Sequence, residues 1–244
     1  MIEFNICLAD IPISVKSIYK STAFFCRDYF YDGPVKYSIT IEEEDIAEER
    51  SGVFLNFSDQ YLETLALYRK IAELLVDEDT ILFHSSIIEV EEIAYVFAAP
   101  SGVGKSTHTR LWREYFTDKN VHMINDDKPL IKVRNDIIAY GTPWMGKNNI
   151  GENRSCPVKA ICFLSQGKEN RIFKMENEEK FSILLKQTYR SKDKQRLLRT
   201  IHLLNKIKKQ VPIYRMECNI SPEAVKTAFE QMNTVEEHAY ENEF

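Results

Sequence analysis

The sequence predicts an α/β fold in which a mixed, partly antiparallel sheet is flanked by helices. Three observations predict it. An apolar run rich in strand formers breaks at a glycine turn and continues as an amphipathic helix. Two pairs of short apolar runs, each joined by a brief polar turn, lie on either side of that unit. In the C-terminal part, further strand-like runs alternate with helical ones.

Along the chain, residues 1–60 carry the weakest patterning. Residues 37–41 alternate as a half-buried strand should, and the acidic stretch 42–49 reads as a solvated turn or helix. Residues 59–75 form an amphipathic helix, with Leu62, Leu65, Leu67, Ile71, Leu74 and Leu75 mostly on one face. Runs 85–90 and 93–98 make a hairpin across Glu91 and Glu92. Runs 130–133 and 137–140 make a second across Arg134, Asn135 and Asp136, whose Asn and Asp suit a tight turn. Between them, 121–124 is a short strand ending in Asn125, Asp126 and Asp127. A polar, glycine-bearing loop runs from Gly141 to Pro157, followed by a buried strand at 160–164. Helices are expected at 181–189 and 194–207, and a last strand at 212–217. Ser221 as N-cap, Pro222 at the first position and Glu223 in the first turn open a final helix. The domain reading is an N-terminal extension over 1–75 packed on the core, a main domain over 76–235 and a frayed acidic tail over 236–244.

Composition sets bounds. A net charge of −5 argues against nucleic acid as a partner. No apolar run is long enough to span a bilayer, and residues 1–5 lack the basic flank and apolar core of a signal peptide, so a cytoplasmic protein is expected. The five cysteines, without a C-x-x-C pair, read as reduced thiols, with Cys162 a small core residue.

The chemistry concentrates at Ala99-Pro-Ser-Gly-Val-Gly-Lys-Ser106, a phosphate-binding loop in which Ala99 stands in place of the usual first glycine. Gly102 and Gly104 allow the backbone N–H groups to turn inward around phosphate. Ser101, Val103 and Thr107 complete the nucleotide-binding set. Lys105 supplies a positive charge for the β- and γ-phosphates, and Ser106 a hydroxyl ligand for Mg²⁺. The order strand, loop, helix aims a helix N-terminus at the phosphates, so ATP or GTP is the expected ligand. Residues 107–116 supply that helix, with Leu111, Trp112, Tyr115 and Phe116 on its apolar stripe.

Histidine, loop and acidic pair at these spacings resemble the catalytic domain of HPr kinase/phosphorylase and its relatives, a branch of the phosphoenolpyruvate carboxykinase-like P-loop kinases. The likeness covers about residues 83–163. It is carried by His84 at the first hairpin strand, by the 101–106 loop, by Asp126-Asp127 and by the glycine-bearing loop 140–147. The resemblance implies a Mg²⁺-dependent transfer of the ATP γ-phosphate to a hydroxyl. In that reaction Asp126 is the general base, Asp127 a metal ligand with Ser106, and His84 and Lys147 are catalytic alongside Lys105. Homo-oligomers occur among such relatives. The chain departs from the pattern with Thr107 in place of a glutamate, with Gly141-Thr142-Pro143-Trp144 in place of an arginine-glycine segment, and with an N-terminal segment of another kind. These departures point away from HPr itself and toward serine in another protein or peptide. A small-molecule acceptor such as free serine, and a non-catalytic nucleotide sensor, are the alternatives. Two adjacent carboxylates repel, so one of the pair is expected to titrate high. Lys147 and Arg154 are either cations for the transferring phosphate or surface charges. Trp144 suits stacking on a ligand or a packed core equally. Tyr189, Arg190, Arg196 and Arg199 either meet an acidic acceptor or form a solvated face.

Overall fold

The computed structural model describes residues 1–52 and 57–234, so the acidic tail 236–244 lies outside the described residues. Strands β1 (Ile2–Leu8) and β2 (Ile11–Ser17) form an antiparallel hairpin, and Ala9 and Asp10 turn it with φ of 50° and 60°. After the short helix α1 (Lys20–Phe25), strand β3 (Tyr37–Thr40) runs parallel to β2 and completes a three-stranded sheet. The acidic stretch is helical, as α2 (Glu43–Ser51). Helix α3 (Asp59–Val76) begins at Ser58, whose hydroxyl accepts from the Tyr61 amide at 3.3 Å. The apolar face of α3, with Leu62, Leu67, Ile71 and Leu75, is buried against this sheet, while Leu65 is only half-buried.

The larger sheet contains β4 (Thr80–Leu82), β5 (Ser86–Val90) and β6 (Ile93–Ala98), then, beyond helix α4 (Lys105–Tyr115), β7 (Val121–Asn125), β8 (Leu130–Val133), β9 (Ile137–Tyr140) and β10 (Ser155–Gln166). Its order is β4-β8-β9-β10-β6-β5-β7. Strand β11 (Arg171–Lys174), helices α5 (Asn177–Gln187) and α6 (Lys194–Gln210), strand β12 (Ile213–Cys218) and helix α7 (Pro222–Asn233) follow. Strand β12 pairs with β10 and β11. Both hairpins form where the sequence placed them, and the sheet is mixed: β6 is antiparallel to β5 but parallel to β10. Glu91 and Glu92 turn the first hairpin with φ of 54° and 64°, the left-handed pair a two-residue turn needs to match strand twist.

Strand alternation sends side chains to two covered faces. On one, Val96, Ile161 and Ile213 meet Leu184 of α5 and Leu203, Leu204 and Ile207 of α6. On the other, Phe97, Cys162 and Met216 meet Trp112 of α4 and Ala224, Val225 and Ala228 of α7. Strand β10 starts five residues earlier than the expected 160–164 strand, because Ser155, Cys156 and Pro157 pair antiparallel with β9 before a bulge at Val158/Ala160 turns the strand alongside β6. Helix α5 likewise starts earlier, at Asn177, with Glu178 and Glu179 in its first turn. Ser221 flanks α7 without making the expected capping bond; its hydroxyl accepts from Asn170 Nδ2 instead. Among the described residues no helix is long and apolar enough to cross a membrane. All five cysteines are free thiols, and Cys162 is fully buried.

The expected stripe on α4 shifts. Trp112 and Phe116 are buried, but the third member of their stripe is His108, and Tyr115 is 41% exposed. His108 Nε2 accepts from the Trp112 indole at 3.0 Å, and its Nδ1 has no partner. Burial pushes the His108 pKa from 6.5 down to about 4. Between those values the unfolded chain binds the proton and the folded one does not. Stability is therefore complete above pH 6.5 and falls as acid is added toward pH 4, by about 3 kcal/mol from this group. Urea titrations at pH 7.5 and 4.5 check this. His108→Gln, which keeps an acceptor for the indole but does not titrate, is expected to lose less between the two.

Candidate active site

The glycine-bearing loop 99–106 lies between β6, deep in the sheet, and α4. Gly102 and Gly104 hold φ of 83° and 117°. A Cβ at Gly102 would meet nothing within 4 Å, and one at Gly104 only Thr107 Cβ at 4.0 Å, so left-handed backbone rather than lack of room demands glycine here. Gly104 is the N-cap of α4 and no side chain caps that end, which leaves the first N–H groups of the helix for an anion. Gln166 Nε2 donates to Val103 O at 3.2 Å and ties the loop to β10.

Lys105 is buried. Its ammonium donates to Ala99 O at 3.2 Å and lies 3.4 Å from His84 Nε2. Burial lowers its pKa, and the attraction of Asp127 and Asp126 offsets only part of that effect. An ammonium held this way is short of negative charge, the condition a phosphate relieves.

The acidic pair leaves the end of β7 in a fixed orientation. Asn125 is fully buried; its Oδ1 accepts from the amides of Asp127 at 2.9 Å and Lys128 at 2.7 Å, and its Nδ2 donates to Thr142 O at 3.0 Å. Asp126 is buried and receives one donor on each oxygen: Ser86 Oγ at 2.6 Å and Asn148 Nδ2 at 3.2 Å. Asp127 sits 3.3 Å from His84 Nε2 and 3.5 Å from Lys128 Nζ. The expected upward shift is not what Asp127 shows. Burial raises its pKa, but the bond to His84 and the charge of Lys128 outweigh burial and hold it below the ordinary aspartate value. His84 Nδ1 lies 3.1 Å from Gln187 Oε1, which orients the ring so that its other nitrogen stands between Lys105 and Asp127.

These groups share one half-open cavity of about 770 Å³, lined by Ser101, Gly102, Gly104, Lys105, Ser106 and Thr107 on one side and by Asp126, Asp127 and His84 beside them. Val103 alone of the loop set does not line it. The 143–149 loop closes over the pair. Gly146, at φ 69°, passes so near that a Cβ would stand 3.0 Å from Asp127 Cβ. Lys147 on this loop lines the cavity and has no hydrogen-bond or ion-pair partner among the described residues.

Other candidates fall elsewhere. Arg154 makes a two-point pair with the buried Glu89 of β5, at 3.0 and 2.7 Å, and does not line the cavity. Arg196 and Arg199 bind Asp77 and Asp79, and the Tyr189 hydroxyl donates to Glu73, so these side chains fasten α6 and its approach to the end of α3. Trp144 is a core residue at the cavity margin: it donates from Nε1 to Thr64 O at 3.0 Å and packs on Phe25 and Tyr68. Ser86, Asn125, Lys128 and Asn148 were not singled out from the sequence. An Asn at a strand end followed by two acids is a turn signal that pointed to Asn125; the others carry no local signature.

No protein-family model matches the chain, and no curated protein matches it. Among solved structures, an HPr(Ser) kinase/phosphatase from Coxiella burnetii aligns with a TM-score of 0.33 and 11% identity, covering 63% of this chain and 99% of that one.

Proposed function

We propose that the chain is a Mg²⁺-dependent phosphotransferase that moves the γ-phosphoryl group of ATP to a hydroxyl, most simply that of serine in a protein or peptide. The observation that carries the reading is convergence: the under-compensated Lys105, the uncapped start of α4 and both aspartates face one cavity. In this reading the loop amides and Lys105 hold the β- and γ-phosphates. Ser106 and Asp127, a hydroxyl and a carboxylate in that cavity, fit the donor set of magnesium and would hold the ion there. The ion, when bound, neutralises phosphate charge. Asp126 accepts the acceptor's proton as the new O–P bond forms and the bond from the γ-phosphorus to the bridging oxygen breaks, leaving ADP. His84 keeps Lys105 and Asp127 in register, and Lys147 supplies a second cation for the group in transit.

Calorimetric titration with MgADP and MgATP tests the first half of this proposal. Lys105→Ala is expected to weaken binding by about 10- to 100-fold, the value of a charge-assisted hydrogen bond to phosphate. A wild-type protein with no nucleotide affinity would remove the reading altogether.

A further inference from the structure

We propose, resting on the kinase reading above, that the cavity wall opposite the phosphate loop is an acceptor subsite that takes an apolar side chain flanking the phosphorylated serine of a peptide. The wall is built by Phe25 at the end of α1, Tyr61 and Leu65 on α3, and Trp144 and Met145 of the 143–149 loop. None of these side chains is charged. Thr64, the polar member of the α3 stretch, spends its hydroxyl on Tyr61 O at 2.7 Å.

Position assigns the wall to the acceptor rather than to the nucleotide. From the phosphate loop the contacts run Lys105 to His84, His84 to Asp127 and Asp127 to Lys128. They continue from Lys128 to the Tyr68 ring at 5.0 Å, Tyr68 to Trp144 at 5.2 Å and Trp144 to Phe25 at 5.7 Å. The aromatic surface therefore begins beyond Asp127 and Lys128 in this chain of contacts, within the cavity that Asp126 also lines. Charge complementarity assigns the occupant's chemistry. Free serine carries an ammonium and a carboxylate, and none of these five side chains offers either a counter-charge; of the cations in the cavity, Lys128 is paired with Asp127 and Lys147 is assigned above to the group in transit. A peptide serine carries neither, and a Leu or Phe beside it gains from leaving water against these rings. Tyr61 is 45% exposed and Phe24, next to Phe25, is 67% exposed, so apolar surface continues from the wall out to solvent.

The test uses the full chain, MgATP and short serine peptides that differ at one flanking position, Leu or Phe in one set and Asp in the other, with free serine alongside. Leu- and Phe-flanked peptides are expected to show kcat/KM about 10- to 100-fold above their Asp counterparts. Tyr61→Ala and Leu65→Asp are expected to erase that preference and leave MgADP affinity unchanged. Equal use of Asp-flanked peptides or of free serine, with nucleotide binding intact, overturns the subsite while the kinase reading stands. Weaker MgADP binding in either variant assigns the wall to the nucleotide and also overturns it. Failure of the wild-type chain to bind MgADP removes the parent reading instead.

Discussion

Asp126→Asn is expected to reduce phosphoryl transfer by about 10²- to 10⁴-fold while leaving MgADP affinity within a few-fold of wild type. The size is that of losing a positioned general base. Retention of the fold follows from the two groups that hold the side chain. Ser86 Oγ donates to one oxygen at 2.6 Å and Asn148 Nδ2 to the other at 3.2 Å. An amide at 126 would place an N–H against one of these donors, but a serine hydroxyl can rotate to accept and an Asn side chain can turn over. The variant thus removes proton acceptance without leaving a buried donor facing a donor. Paired measurements of phosphopeptide formation and nucleotide titration check it. Full activity in the variant would move the base to Asp127 or dispense with one.

Glu63→Ala is expected to cost about 3–5 kcal/mol of stability. Glu63 is fully buried on α3 yet faces the start of α1, where it accepts from the amides of Ile18 at 2.5 Å and Tyr19 at 3.2 Å and from the Thr22 hydroxyl. Those two amides belong to the segment that leads into α1, so a residue more than forty positions away anchors the start of that helix. Alanine would strand three donors, the buried Thr22 hydroxyl and the half-buried amides of Ile18 and Tyr19. Glu63→Gln keeps one acceptor oxygen, and the Thr22 hydroxyl can turn to accept, so about 1–2 kcal/mol is expected there. Chemical denaturation of the two variants checks the difference. A loss below 1 kcal/mol in Glu63→Ala would mean that water takes over these bonds.

What the sequence made legible is what is local. Gly102 and Gly104 announce the loop because their left-handed backbone angles disfavour side chains, and Asn135-Asp136 announces a turn because such side chains bond their own local backbone. The β1–β2 hairpin escaped because Ala9-Asp10 adopts left-handed angles without glycine or asparagine to advertise them. Arg154 stayed undecided between two roles because its partner Glu89 lies on a different strand, and no spacing rule connects the two. Leu65 counted with the apolar stripe of α3 at helical period, yet the helix turns it to the cavity rim instead. The acidic pair was visible as a motif. The unequal surroundings of its two members were not, since His84 and Ser86 arrive from one distant stretch of chain and Asn148 from another, while Lys128 turns back onto Asp127 from the next position.

Strand β10 carries a mechanical consequence. Its first residues are bonded to β9, next to the loop that bears Lys147 and Asn148, and its later ones lie beside β6 up to Ala98, at the threshold of the glycine turn. Both jaws of the cleft are therefore bolted to a single rod, and the kink at Val158/Ala160 sets the angle between them. Any change in their separation has to pass through that kink, so a stiffer or looser kink would retune the aperture without touching a group that lines the cavity.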